Sequence, residues 1–156
     1  MANEIERKFL VRPRNWSQLG PWAVIRQGYL STDNERTVRV RTYGDRGYIT
    51  IKGITSGISR KEYEYEIPVA DADELLDNLC RRPLVEKTRY RIPFGGHIFE
   101  VDEFTGDNRG LTVAEVELKT AGEPVELPDW IEREVSGDPR YFNSNLAQHP
   151  FTTWQK

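Results

Sequence analysis

Along most of its length this chain alternates charged and apolar residues one for one, and a period of two commits it to strands with one charged face and one apolar face. Residues 3–11 set Glu4, Glu6 and Lys8 against Ile5, Phe9 and Val11, with Arg7 interrupting the apolar side. Residues 22–31 put Gln27 and Tyr29 on one face, residues 37–43 alternate Arg39 and Arg41 with Val38 and Val40, and residues 48–52 set Thr50 and Lys52 against Ile49 and Ile51. The pattern continues through residues 60–67 (Arg60, Glu62, Glu64 and Glu66), 84–94 (Lys87, Arg89 and Arg91), 97–104 (Glu100 and Asp102) and 111–120 (Glu115, Glu117 and Lys119). Turn residues at 44–47 and Gly95-Gly96 join neighbouring runs as hairpins, giving about eight strands.

The period changes at Asp71. Asp71 and Glu74 have capping-box spacing, and Leu75, Leu76, Leu79 and Cys80 form a helical stripe, so an amphipathic helix is expected there. A second helical segment is expected within residues 141–148, and residues 121–139 read as an irregular stretch anchored by Trp130 and Ile131. A chain of 156 residues with 37% hydrophobic content buries one substantial core, so residues 1–156 read as a single α+β domain.

The polar faces carry charge rather than the usual mixture with Ser, Thr, Asn and Gln, and the charge is sorted by strand. Glu4 with Glu6, Glu62 with Glu64, Glu100 with Asp102 and Glu115 with Glu117 are acidic pairs at i, i+2; Arg39 with Arg41 and Lys87 with Arg89 are basic pairs. Like charges at that spacing repel modestly in water and strongly in a confined space unless a ligand neutralises them. In an open sheet these faces are simply solvated. In a closed barrel of about eight strands they line an interior that holds one small ligand. Clustered carboxylates suit a hard divalent cation and clustered Arg and Lys suit phosphate, so the ligand that needs both is a metal-bound polyphosphate.

Other classes find little support. The net charge of −3 lacks the positive field of a nucleic-acid binder. His97 and His149 are too isolated for zinc, and neither a Ser-His-Asp set nor a glycine-rich phosphate loop is present. The lone Cys80 forms no intrachain disulfide and fits a reducing compartment, while residues 1–11 carry acidic groups where a signal peptide needs basic ones, and no run is long enough to span a membrane. The expectation is a soluble cytoplasmic protein.

The opening Glu4-Ile5-Glu6-Arg7-Lys8 resembles the ExExK signature of the CYTH proteins, the triphosphate tunnel metalloenzymes. Gln27-Gly28-Tyr29-Leu30, Arg39-x-Arg41, Thr50-x-Lys52, Glu62-x-Glu64, Glu86-Lys87-Thr88-Arg89-Tyr90, Glu100-x-Asp102 and Glu115-x-Glu117 resemble further family elements in the family's order. The resemblance implies a closed eight-stranded antiparallel barrel with helices packed outside, hydrolysing inorganic triphosphate with Mg²⁺ or, alternatively, Mn²⁺. It implies Glu4, Glu6, Glu115 and Glu117 as metal ligands, with Asp102 and Glu62 or Glu64 as further candidates. Lys8, Arg39, Arg41, Lys52, Lys87 and Arg89 are implied to hold the phosphates, and Tyr29 with Lys87 resembles a catalytic base pair of some members. A class of adenylate cyclases and the thiamine triphosphatases share these elements, and a non-catalytic polyphosphate-binding barrel is the rival of another class. Where some members carry a basic residue in the C-terminal helix, this chain offers Asn143, Ser144 and Asn145. The family also suggests a possible homodimer.

Overall fold

The computed structural model describes residues 3–154, so the single-domain reading of 1–156 and the signal-peptide reading of 1–11 include end positions that lie outside the described residues. The strands are β1 (Asn3–Val11), β2 (Trp22–Ser31), β3 (Arg36–Tyr43), β4 (Arg46–Gly53), β5 (Ser59–Ile67), β6 (Val85–Phe94), β7 (His97–Thr105), β8 (Thr112–Glu117) and β9 (Ile131–Glu134). Helix α1 (Val69–Asn78) lies between β5 and β6, and α2 (Asn143–Leu146) follows β9. The sheet runs β5-β4-β3-β2-β6-β7-β8-β1-β9, and β1 also pairs with β5, closing eight strands into an antiparallel barrel. At the β6–β7 turn Gly95 and Gly96 both have positive φ, 57° and 81°, the left-handed conformations that a two-residue hairpin turn demands.

Closure is uneven. Only Asn3, Glu4 and Ile5 of β1 face β5, opposite Lys61, Arg60 and Ser59, whereas five residues of β1 pair with β8. Beyond that short seam the edge of β1 is taken by β9, which sequence alone missed: residues 121–139 are not irregular throughout. The four-residue strand Ile-Glu-Arg-Glu has too little alternation to be read as one. It explains Arg7, which breaks the apolar face of β1 and meets Glu134 of β9 at 2.7 Å.

The apolar faces of the strands do point outward for much of the barrel, with two covers of different kinds. Helix α1 packs on β3 and β4, burying Ala72 and Leu76 with Val40 and Cys80. It starts two residues before Asp71: Pro68 occupies the N-cap position, no side chain caps the helix, and Asp71 sits in the first turn, where the helix dipole favours it. Leu79 does not join the stripe; the helix ends at Asn78 and Leu79 is 66% exposed. Over β1, β7 and β8 the cover is irregular chain carrying Trp16 and Trp130, which pack edge-on at 5.1 Å above Phe9, Phe99, Val101 and Val116.

A third cluster lies inside. Phe104 stands opposite Lys87, and Val113 opposite Leu10, so by strand alternation these apolar residues share the inner face with the charges. With Tyr29, Val85 and Leu111 they receive Val135, Tyr141, Leu146 and Ala147 from the C-terminal segment. One end of this inner wall is therefore stoppered by apolar packing, and the charges occupy the remainder. Helix α2 is shorter than the expected helical region 141–148 and belongs to this stopper rather than to the outer covers.

Candidate active site

Antiparallel register brings the sorted charges together. Glu6 faces Glu117 and Lys8 faces Glu115 across β1–β8, while Glu100 faces Glu115 across β7–β8. Arg89 faces Asp102 across β6–β7, and Thr50 of β4 lies between Arg39 of β3 and Glu64 of β5. All the sequence-implied residues except Lys8, Tyr29 and Asp102 line one cavity of about 210 Å³, joined there by Tyr43, Glu100 and Asn143. Lys8 and Tyr29 line an adjoining space of about 70 Å³ that shares Glu4, Glu6, Arg39, Lys52 and Asn143 with the first. Such volumes fall below the roughly 300–1,000 Å³ of drug-sized pockets and suit a small ligand.

On the basic side the cations are held by carboxylates behind them. Asp102 is fully buried; Arg89 Nε and Nη2 donate to its two oxygens at 2.8 and 2.9 Å, and Lys87 Nζ lies 2.8 Å from Oδ2. Against the upward push of burial, Arg89 and Lys87 hold the Asp102 carboxyl below its ordinary value. Burial pushes the Lys87 ammonium down to about 8, partly offset by Asp102. Glu64 accepts from Thr50 at 2.7 Å and from Arg39 and Arg41 at 3.3 and 3.5 Å. Burial and the neighbouring Arg39 and Arg89 bring Arg41 down to about 10, and the Nε atoms of Arg39 and Arg41 are buried with no protein acceptor among the described residues. Arg39 and Arg41 themselves line the cavity, so two incompletely satisfied guanidinium groups border the space where an anion would sit.

The acidic side is different. Lys52 bonds both oxygens of Glu4, at 2.9 and 3.1 Å, and reaches Glu62 at 3.3 Å, while Lys8 lies 3.7 Å from Glu115 and donates to the Tyr141 carbonyl at 3.0 Å. Among the described residues neither Glu6 nor Glu117 forms an ion pair, although Lys52 and Lys8 act on Glu6 from a distance. Burial, then Glu115 and Glu4, push Glu6 well above its ordinary value; burial, then Glu4 and Glu100, raise Glu117. Glu115 behaves oppositely: burial pushes it up, but Lys8, Arg89 and Lys87 hold it well below the usual carboxylate range.

Among the described residues no three carboxylates converge into a ready-made metal cage. The mutual repulsion around Glu6 nevertheless suits a divalent cation of the Mg²⁺ type, which takes one or two carboxylates and fills its remaining positions with water and phosphate oxygens. Glu4, Glu6, Glu115 and Glu117 all line the cavity. Asp102 lines neither cavity, and both its oxygens are engaged.

Tyr29 and Lys87 are not in direct contact through any hydrogen bond. Gln27 Nε2 stands 3.5 Å from the Tyr29 hydroxyl and donates to Asn143 Oδ1 at 3.1 Å, and Asn143 Oδ1 also accepts from Lys87 at 3.0 Å. Gln27 and Glu100 shared faces with implied site residues without being assigned a part. The contribution of Asn143 is not visible in the alternation at all, because α2 lies outside the sheet.

A family model described as CYTH domain matches residues 2–149 of this chain. A protein of Acetivibrio thermocellus named inorganic triphosphatase is 49% identical over 156 residues, covering all of both chains. Another of the same name, from Nitrosomonas europaea, is 39% identical over 149 residues, covering 92% of this chain and 96% of its own. A crystal structure of an inorganic triphosphatase superposes with a TM-score of 0.66 at 35% identity, covering 94% of this chain and 95% of that one.

Proposed function

We propose, since this chain belongs to the CYTH family, that it is a metal-dependent inorganic triphosphatase releasing phosphate from triphosphate inside the barrel. Two full-length relatives that carry that name support the substrate. The observation that carries the reading is the juxtaposition, in one cavity of about 210 Å³, of the mutually repelling Glu6 and Glu117 with Arg39 and Arg41, whose buried Nε donors lack partners among the described residues. A ligand that is at once anionic and metal-bound satisfies both halves.

In this reading Glu4, Glu6, Glu115 and Glu117 hold Mg²⁺, with Mn²⁺ as the alternative and Glu62 beside them. A bound divalent ion neutralises phosphate oxygens and lowers the pKa of attached water. Arg39, Arg41, Lys52, Lys87 and Arg89 bind the phosphate chain and stabilise the charge that spreads over the transferred group, the main source of rate in phosphoryl transfer. Lys8 lies at the adjoining end of the chain. Asp102 and Glu64 serve as anchors that aim these cations, and Tyr29, in the adjoining space, is the candidate acceptor for the proton of the attacking water. No helix among the described residues is long and apolar enough to cross a membrane, consistent with work on a small soluble anion. A homodimer is the assembly proposed.

The test is phosphate release from inorganic triphosphate, ATP and thiamine triphosphate in parallel, with Mg²⁺ and with Mn²⁺, and cyclic AMP assayed alongside. Preferential cleavage of inorganic triphosphate, abolished in Glu6→Gln, supports the proposal. Cyclic AMP as the product keeps the site but changes the reaction class, and binding without turnover makes the barrel a receptor.

A further inference from the structure

The Lys87 ammonium has three hydrogens to place, and the structure accounts for two. Asp102 Oδ2 lies at 2.8 Å on one side and Asn143 Oδ1 at 3.0 Å on another, while Phe104 backs the ammonium with its ring centroid 5.4 Å away. Lys87 is 1% exposed, yet it lines the cavity. The orientation of the Asn143 amide is equally determined. Its oxygen receives two donors, Lys87 and the fully buried Gln27, so the oxygen faces the wall. Its NH₂ group meets no protein acceptor among the described residues, and the side chain borders both parts of the cavity.

We propose that Asn143 is the positioning residue for Lys87: its carbonyl and Asp102 take two ammonium hydrogens, the third is thereby aimed at the bound anion, and the Asn143 amide donates to that anion alongside it. The inference rests on the triphosphate reading of the cavity and extends it to the stopper, since Asn143 arrives from α2 and not from the barrel. A neutral amide here supplies donors without adding a further cation beside an ammonium that already has Arg89 as a neighbour.

The experiment compares the whole protein with its Asn143→Ala and Asn143→Asp variants, measuring phosphate release from inorganic triphosphate and thermal unfolding. Asn143→Ala removes both the acceptor and the donors, and kcat falls about tenfold or more with KM changed less than about threefold. Asn143→Asp keeps the acceptor for Lys87 but replaces the donors with a negative charge, so kcat stays within about threefold while KM rises about tenfold or more. Wild-type kcat and KM in Asn143→Ala overturn the inference. So does an equal loss of kcat in both variants accompanied by a lowered midpoint, the signature of a merely structural role. Wild-type turnover tests the triphosphatase reading separately. If the wild type releases no phosphate, calorimetric binding of inorganic triphosphate still decides the inference: about tenfold weaker binding in Asn143→Asp upholds it, and equal binding by all three proteins overturns it.

Discussion

The wall built by β3, β5, β6 and β7 and the wall built by β1 and β8 face the same cavity, yet on the first each pair of cations shares an anchoring carboxylate, while on the second Glu6 and Glu117 have no ion-pair partner among the described residues. Asp102, fully buried, takes Lys87 and Arg89, and Glu64, which lines the cavity beside them, takes Arg39 and Arg41; each carboxylate holds two cations. Among the described residues Glu6 and Glu117 have no ion-paired counterpart, and each faces the other across β1–β8. A fold tolerates buried charge when it is paired and hydrogen-bonded, so the basic wall is stable as built. On the acidic wall, burial and the neighbouring carboxylates disfavour the charged forms of Glu6 and Glu117, which a bound cation would relieve. One wall is pre-organised; the other is conditional on its ligand.

The largest effect expected comes from breaking the pre-organised wall. Replacing Asp102 with Ala strands two buried cations and costs about 3–5 kcal/mol, read as a fall in the denaturation midpoint. An unchanged midpoint removes the distinction between the walls. On the conditional wall, Glu6→Gln is expected to lower metal-dependent turnover about 100-fold, equivalent to roughly 2.7 kcal/mol, while leaving the metal-free protein as stable as wild type or more so. Equal destabilisation by Glu6→Gln and Asp102→Ala contradicts the comparison. Mg²⁺ and inorganic triphosphate added together at about 100 times the dissociation constant stabilise the fold by roughly 2.7 kcal/mol, and Glu6→Gln abolishes that shift.

The smallest expected effect is on pH. Glu6, Glu62 and Glu117 are all raised in the folded state, burial being the first cause in each, so the folded protein binds more protons than the unfolded chain above pH 4.5. Their contribution is fully present below 4.5 and is lost as pH rises through the higher folded-state values. Glu115 and Asp102 are lowered, so their contribution is lost only on acidification through the range below their ordinary values of 4.5 and 3.8. In a chelator, the thermal midpoint therefore declines on going from about pH 5 to neutrality, and divalent cation flattens the decline. A midpoint that rises over that interval places the wrong charges on the acidic wall.

How much of this was legible in the sequence follows from what each residue depends on. Strand position and face depend on local alternation, which is why Glu4, Arg39, Lys87 and Glu117 were placed on the charged faces of their strands from spacing alone, the faces that line the cavity. The motif resemblance supplied the sense of the barrel, charged side in, which alternation leaves open. The features that were missed depend on tertiary contacts. Strand β9 is a strand only because β1 offers it an edge. Helix α1 begins at Val69 although its capping signal lies later, and Leu79 points to solvent because the helix stops before it. The family resemblance implies Asp102 as a further metal candidate, and only the register that sets it against Arg89 shows its oxygens already engaged. Asn143 was named as a polar residue of the C-terminal helical segment, but its contact with Lys87 depends on how that segment packs into the barrel.

The split of the site between β1 and β8 also bears on how the protein is made. The ribosome delivers β1, with Glu4 and Glu6, before the six strands that separate it from β8, with Glu115 and Glu117, so the conditional wall cannot form until β8 has been made. Until then β1 waits without a β8 to join, with Ile5, Phe9 and Val11 exposed to solvent and Glu4, Glu6 and Lys8 alternating with them to oppose premature pairing. The charges that later confront the ligand first serve to keep the nascent strand apart from its neighbours.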